Sequence, residues 1–259
     1  MKIIVCIKAV PSSTEVRFDP VSHTIIRDGK QAVINPFDAA ALECGVRIRE
    51  NTGAHVTALS MGIPDTVRIL RDTVARGAEE AVLLSDRAFA GADTLATSYS
   101  LACAVKKTGI PELILCGKMA VDGDTAQIGP ELAAMLGIPA VTNVKTILSV
   151  SEKEIAVVRE SDSGEQEVTV SLPALITVVK NIADPRMPSI AGIRAAEEIA
   201  VPVWTADDIG AEKEKTGLAG SATQVVRTFS PERKKECVFF RGNAGEAAAE
   251  LKKIMEGLS

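Results

Sequence analysis

Short apolar runs alternate with longer segments of helical periodicity over the first 140 residues, and few folds accommodate that alternation. The apolar runs, which we interpret as buried strands, cover residues 3–7, 54–60, 81–84 and 113–116. The segments between them, which we interpret as helices, cover residues 38–50, 65–76, 93–107 and 125–136. We expect Asp38 to be the N-cap of the first helix, and Leu95, Ala102 and Val105 to face inward from the third. Because parallel strands need crossover helices, we predict an α/β fold with a doubly wound, mostly parallel sheet and helices on both faces.

The pattern changes after Pro139. Segments 141–150, 154–159, 166–171 and 174–180 are short, β-rich and separated by turns, which predicts hairpins at the edge of the sheet. Beyond residue 181, prolines and glycines interrupt every long element except a helix at 244–256. We therefore expect an α/β core at residues 1–190 and a C-terminal arm at residues 191–259.

Charge and composition exclude several classes of protein. The 29 Lys and Arg residues against 34 Asp and Glu residues give a net charge of -5, which argues against a nucleic-acid partner. No run approaches the ~18 apolar residues of a membrane helix, so we expect no membrane insertion. The five cysteines are widely spaced and form no zinc motif, which favours buried thiols in a reducing cytoplasm.

The usual catalytic motifs are absent from the sequence. It contains no G-x-G-x-x-G, no G-x-x-x-x-G-K-[ST] and no G-x-S-x-G, and its only histidines are His23 and His55. We therefore expect no acid–base or nucleophilic residue of its own, and a bound cofactor to carry any reaction.

The most unusual segment runs from Cys116 to Pro130, a Gly-rich, polar stretch between a predicted strand and a predicted helix. In an open α/β sheet such loops meet at the carboxyl ends of the strands, where ligands bind. Free N–H groups at the helix start favour an anion such as a pyrophosphate. Asp122 and Asp124 would cap the helix, orient the loop or accept ribose hydroxyls, and a capped helix without a ligand is the alternative.

At this segment the sequence resembles the beta subunits of the electron transfer flavoproteins. Their signature is Gly-Lys/Arg-Gln-Ala-x-Asp-Gly-Asp-Thr-x-Gln-x-Gly-Pro, from which this chain departs at Met119. The resemblance extends to Lys8-Ala9-Val10-Pro11, Asn35-Pro36-Phe37-Asp38, Leu172-Pro173-Ala174-Leu175 and Pro185-Arg186, and so covers the chain in order.

The resemblance implies a nucleotide in the crevice. In most of the family this is a structural AMP, and the redox FAD belongs largely to the alpha subunit. The implied binding residues are Ala9, Asn35, Phe37, Asp38, Met61, Lys118, Met119, Ala120, Asp122, Gly123, Asp124, Thr125, Gln127 and Gly129.

Residues 85–98 are similar to the flavin loop of family members that carry a second FAD and bifurcate electrons from NADH. The resemblance then implies that Asp93, Thr94 and Thr97 lie near a flavin. The alternative for these residues is an N-capped helix, and the alternative cofactor is AMP.

Residues 184–194 are similar to the family's recognition loop, which docks on acyl-CoA dehydrogenase-type flavoenzymes. The resemblance implies partner contacts by Arg186 and Ile190, and an arm wrapped around the alpha subunit; an ordinary linker is the alternative. A stand-alone nucleotide-binding protein of similar fold remains the competing hypothesis.

Overall fold

The computed structural model describes residues 1–12, 32–226, 239–240 and 242–257. The chain forms two compact units, Met1–Gln224 and Val225–Ser259. The strands are β1 (Lys2–Cys6), β2 (Ala9–Pro11), β3 (Ala32–Ile34), β4 (His55–Met61), β5 (Glu80–Leu84), β6 (Leu113–Gly117), β7 (Ala140–Val150), β8 (Glu154–Ser161), β9 (Gly164–Ser171), β10 (Ala174–Val178) and β11 (Val203–Trp204). The helices are α1 (Pro36–Thr52), α2 (Val67–Ala75), α3 (Thr94–Thr108), α4 (Ile128–Leu136), α5 (Ile190–Glu198) and α6 (Ala244–Glu256).

Nine strands form one sheet in the order β11-β5-β4-β1-β6-β10-β7-β8-β9, and β2 pairs with β3 in a separate antiparallel ribbon. The strands from β11 to β7 are parallel, whereas β8 is antiparallel to both of its neighbours. The chain winds outward from β1 through β4 and β5, then crosses back to β6 on the other side of β1. Strands β1 and β6 therefore flank the switch point, where ligands bind in sheets of this kind.

Alternating side chains of the strands supply two cores. Ile3 and Val5 of β1 pack in one core with α1 and α2, while Ile4 and Cys6 pack in the other with α3 and α4. Strand β6 is buried almost along its whole length, as expected of a parallel strand covered on both faces. The predicted doubly wound α/β fold is confirmed.

One of the predicted edge strands lies in the interior of the sheet. Strands β7, β8 and β9 form the predicted edge hairpins, but segment 174–178 does not. It forms β10, which lies between β6 and β7 and is parallel to both. All of its residues are buried apolar or Thr side chains, so its composition suits an interior strand better than an edge.

Two helix expectations were also wrong. Asp38 is not the cap of α1, because the helix begins at Pro36, a favourable first residue, and Asp38 lies within its first turn. Leu95, expected to face inward from α3, is 43% exposed, whereas Ala102 and Val105 are buried as predicted.

Residues beyond the predicted core contribute elements to the first unit. Helix α5 packs on α2, and β11 pairs with β5. In the second unit, Asn243 begins α6 with a capping box, accepting hydrogen bonds from the N–H groups of Gly245 and Glu246. Contact of residues 191–259 with a partner subunit stays a prediction. No helix within the described ranges is long and apolar enough to cross a membrane.

Candidate functional site

The carboxylate of Asp38 joins the ends of the two strands at the switch point. Its Oδ2 accepts a 2.8 Å hydrogen bond from the N–H of Lys8, which follows β1. Its Oδ1 accepts a 3.1 Å hydrogen bond from the N–H of Gly117, the last residue of β6. The first turn of α1 thereby fixes the floor of the crevice.

Asp38 is also a titratable group of unusual character. Burial raises the pKa of its carboxyl group to about 7, although the N–H groups of Lys8 and Gly117 and the side chain of Asn35 act to lower it. The floor of the crevice therefore contains a carboxylic acid that titrates near neutral pH.

Two buried thiols lie on neighbouring strands beside this acid. Cys6 and Cys116 are both free. A hydrogen bond with Cys6, together with burial, raises the pKa of the Cys116 thiol well above its usual value. Since the thiolate is the reactive form, Cys116 is unsuited to act as a nucleophile at neutral pH.

Asn35 holds the loop that follows β6. Its Nδ2 donates to the carbonyl of Met119 at 2.9 Å, and its Oδ1 accepts from the N–H of Val121 at 3.2 Å. Although Asn35 precedes the first residue of α1, its side chain makes no capping bond to that helix. The side chain, 1% exposed, instead fixes the path of the loop.

The loop from Lys118 to Gln127 is tied down at its base and exposed beyond it. Lys8 Nζ lies 2.6 Å from Asp122 Oδ1, which agrees with the predicted role of Asp122 in orienting the loop. Residues 121–127 are all exposed. Their backbone and the hydroxyl of Thr125 are therefore accessible to a ligand.

The predicted cap of α4 is wrong. The helix begins at Ile128, later than expected, and Gln127 makes no side-chain capping bond. Asp124 and Ala126 have φ values of 53° and 55°, in the left-handed region that non-glycine residues rarely occupy. These left-handed residues interrupt any helix before Ile128. Strained backbone of this kind is often found in ligand-binding loops.

Two glycines that flank the loop, one at the end of β6 and one in α4, allow close approach of the backbone. A Cβ on Gly117 would lie 2.6 Å from Phe37 Cβ and would also collide with the Asp38 carboxylate. A Cβ on Gly129 would collide with the side chain of Thr177 in β10. The glycines thus let the loop and α4 sit directly against α1 and the sheet.

The start of α3 forms the other wall. Asp93 caps this helix, which was the alternative to a flavin contact for this residue, since its Oδ1 accepts from the N–H of Ala96 at 3.1 Å. Its Oδ2 accepts from the N–H and the hydroxyl of Thr223 at 2.9 and 3.1 Å. Both carboxylate oxygens therefore hold the chain itself in place.

Thr94 brings the two predicted ligand segments together. Its Oγ1 lies 3.3 Å from Gln127 Oε1 and 3.1 Å from Glu131 Oε1, across the contact between α3 and α4. Thr97 lies one turn further along α3, and its hydroxyl has no hydrogen-bond partner in the described part of the chain. It is therefore available to a ligand.

The other predicted binding residues also lie at the carboxyl ends of the strands. Met61 ends β4, Ala9 begins β2 directly after Lys8, and Phe37 lies in the first turn of α1; all three are half-buried. Within the described ranges no group of three or more His, Cys, Asp or Glu side chains could hold a metal ion. Backbone N–H groups, hydroxyls and amides converge at the crevice, and groups of this kind suit a nucleotide.

The two predicted partner-binding residues lie outside the crevice. Arg186 Nε and Nη2 donate to Glu43 at 2.8 and 3.1 Å, and Nη1 donates to Glu50 at 2.5 Å. Burial alone would raise the pKa of Glu43, but the hydrogen bonds from Arg186 and Arg47 bring it below its ordinary value. Arg186 therefore fastens its own segment to α1.

Ile190 is displayed by that fastened segment. It is the first residue of α5, whose cap is Ser189, and it is 76% exposed. Met187, just before it, is 82% exposed. A docking role for this pair stays a prediction, and its geometry is that of a fixed helix start rather than a free loop.

Sequence reasoning missed Glu131, Ser98 and Glu43. Glu131 accepts a hydrogen bond from Ser98 as well as from Thr94, and Glu43 binds Arg186. A signal was present: Glu131 is the one charged residue of the otherwise apolar α4, and Glu43 interrupts an apolar run in α1. A charge on a packed helix usually has a partner.

Comparison with known proteins identifies the family to which this chain is similar. The model of the electron transfer flavoprotein domain matches residues 22–209. The caffeyl-CoA reductase-Etf complex subunit CarD of Acetobacterium woodii is 46% identical over 90% of this chain and 89% of its own length. An electron transfer flavoprotein subunit beta from Thermoanaerobacterium thermosaccharolyticum is 44% identical over 97% of this chain and 96% of its own length. Protein FixA of Azorhizobium caulinodans is 43% identical over 91% of this chain and 86% of its own length.

Proposed function

This chain belongs to the electron transfer flavoprotein family as a beta subunit, and on that premise we propose that its crevice holds a second FAD that takes electrons from NADH. Together with an alpha subunit, the protein would pass electrons to a flavoenzyme of the acyl-CoA dehydrogenase type. Family membership favours this hypothesis over a stand-alone nucleotide-binding protein.

The observation that carries the proposal is the convergence of ligand-binding loops at the switch point. Asn35 and Asp38 fix the loop after β6 to the start of α1, while its outer residues remain exposed. Left-handed backbone at Asp124 and Ala126 lies just before the N-terminus of α4, whose free N–H groups favour a phosphate. The nucleotide would place its phosphates there and its ribose near Asp122.

The choice of FAD rests on the second segment. The hydrogen bond between Thr94 and Gln127 joins segment 85–98, which resembles the flavin loop, to the loop after β6, so one ligand could contact both. The open hydroxyl of Thr97 would then face the ring system. AMP is the second candidate, because the contacts of Asn35 and Asp38 with the loop would serve an adenylate equally well.

The partner proposal rests on the fixed, exposed helix start. Ile190 and Met187 offer a small apolar anchor beside the ion pairs of Arg186, as in interfaces where a few buried side chains dominate the affinity. One relative is named as a subunit of a caffeyl-CoA reductase complex, which supports a CoA-thioester enzyme as the partner.

The test uses the complex with the alpha subunit. Asn35→Ala removes two hydrogen bonds to the loop and should lower the nucleotide retained by the beta subunit after dialysis, by roughly tenfold in affinity. Asn51→Ala, at the exposed C-terminal end of α1, the helix that Asn35 precedes, is the matched control and should retain the nucleotide. Equal nucleotide content in both variants would contradict a site at this loop.

A further inference from the structure

Glu131 reaches from α4 to two hydroxyl groups on one face of α3. Its Oε1 lies 3.1 Å from Thr94 Oγ1, and its Oε2 lies 3.1 Å from Ser98 Oγ. Thr94 and Ser98 are four residues apart, so they are neighbours on the helix surface. Ser98 is fully buried and Thr94 is half-buried at the wall of the crevice. Of the two hydroxyls, Thr94 is therefore the one within reach of a ligand.

The single hydroxyl proton of Thr94 determines whether this residue can donate a hydrogen bond to a ligand. A hydroxyl has one proton to donate and two lone pairs to accept, whereas an ionised carboxylate only accepts. The proton of Thr94 is therefore directed at Glu131. Gln127 Oε1, 3.3 Å away, is a second acceptor for the same proton, so the amide satisfies the network better with its nitrogen facing Thr94. In either amide orientation Thr94 has no proton left for a ligand.

We propose that Glu131 is a positioning residue that turns Thr94 into a hydrogen-bond acceptor for an N–H of the nucleotide. This inference rests on the proposed function. It excludes a phosphate or a ring carbonyl at Thr94, because neither has a proton to give. In FAD the N–H candidates are the imide N3–H of the flavin and the exocyclic amine of the adenine. Hydroxyls of the ribityl chain and the ribose also donate, but a hydroxyl can reverse its bond when Thr94 donates, so a donor that depends on Glu131 is an N–H.

Glu131→Gln is the informative variant. The glutamine keeps the size of the side chain and one acceptor, but its amide nitrogen can donate to Thr94 and release the Thr94 proton toward the ligand. The Thr94 hydroxyl and the N–H of the ligand would then both be donors, and no hydrogen bond could form between them. We expect FAD to bind the nucleotide-depleted complex roughly three- to tenfold more weakly. If the ring edge is the flavin's, the midpoint potential of that flavin should shift as well.

Ser98→Ala is the matched control, because it removes the other hydroxyl partner of Glu131 and leaves Thr94 in place. It should lower the denaturation midpoint to an extent similar to Glu131→Gln, with FAD affinity and flavin potential as in the unaltered complex. A merely structural role of Glu131 in the packing of α3 on α4 would instead make the two variants alike in FAD affinity.

FAD methylated at N3 distinguishes the two ring edges. If Thr94 meets the flavin imide, methylation should weaken binding to the unaltered complex more than to Thr94→Val; if it meets the adenine, the penalty should be equal in both. Unchanged FAD affinity and potential in Glu131→Gln would overturn the inference alone. A purified complex that neither contains nor binds a nucleotide at the beta subunit would overturn the proposed function, and this inference with it.

Discussion

The N–H of Gly117 donates a 3.1 Å hydrogen bond to the carboxylate of Asp38, joining the end of β6 to the start of α1 across 79 residues of sequence. Because the same carboxylate also binds the N–H of Lys8, one side chain sets the spacing of the two strands that flank the crevice. The predictions below begin at this contact.

Gly117→Ala should destabilise the protein by about 1–3 kcal/mol, because the new Cβ would lie 2.6 Å from Phe37 Cβ in a packed region. Gly123→Ala is the control in the same loop, where the nearest atom would be Lys8 Nζ at 3.8 Å. Urea denaturation measures both. Equal midpoints for the two variants would show that the loop does not sit against α1 as described.

Asp38 should give the stability a specific pH dependence. The pKa of its carboxyl group is about 7 in the folded protein, above the ordinary value near 3.9 in an unfolded chain. Between these values the folded protein keeps a proton that the unfolded chain has lost. Stability due to this group is therefore present at low pH and is lost as the pH rises toward 7, by at most roughly 1.4 kcal/mol per pH unit.

The measurement is the unfolding free energy of the unaltered protein minus that of Asp38→Asn, from pH 5 to pH 8. This difference should fall as the pH rises and level off above pH 7. Because the other titrating groups are shared, they cancel. A difference that stays constant over the whole range would contradict a raised pKa at Asp38.

Arg186→Ala should cost about 1–3 kcal/mol in stability, since it leaves the buried Glu43 with a single cationic partner, Arg47. Arg71→Ala, at an exposed position of α2, should change stability by less than about 0.5 kcal/mol. Thermal denaturation distinguishes the two. If both variants melt alike, the ion pairs do not fasten the segment around Arg186 to α1.

Ile190→Ala should slow electron delivery to the partner flavoenzyme at limiting partner concentration, with flavin content and reduction by NADH unaltered. The expected loss is roughly tenfold in apparent affinity, as for one anchoring side chain. Ile110→Ala removes another exposed isoleucine, in the loop before β6, and should leave the rate unchanged. Equal rates for both variants would remove Ile190 from the interface.

Local patterns predicted much of this fold and fewer of its site contacts. Periodicity sufficed for α6, and short β-rich segments separated by turns sufficed for the edge hairpins. At Asp93 the structure shows the helix cap that was the alternative to a flavin contact. The interior position of β10 did not follow from its neighbours in sequence, because strand order depends on distant pairing. The ion pair between Arg186 and Glu43 spans 143 residues, and no local rule relates the two.

At the site, the resemblance predicted which segments bind a ligand, whereas the contacts that support those segments required the three-dimensional structure. Asp38 was expected to cap a helix and instead accepts hydrogen bonds from two strand ends. Glu131 was not singled out, because its partners Thr94 and Ser98 lie on a different helix. A single charge in an apolar helix signals that a partner exists, but the sequence does not identify a partner that lies on another helix.

The most direct test is a count of the nucleotides released by denaturing the purified complex of this chain with its alpha subunit, combined with anaerobic titration by NADH. We predict two FAD per heterodimer and direct reduction of flavin by NADH. One FAD and one AMP per heterodimer, with no reduction by NADH, would contradict the proposed second flavin.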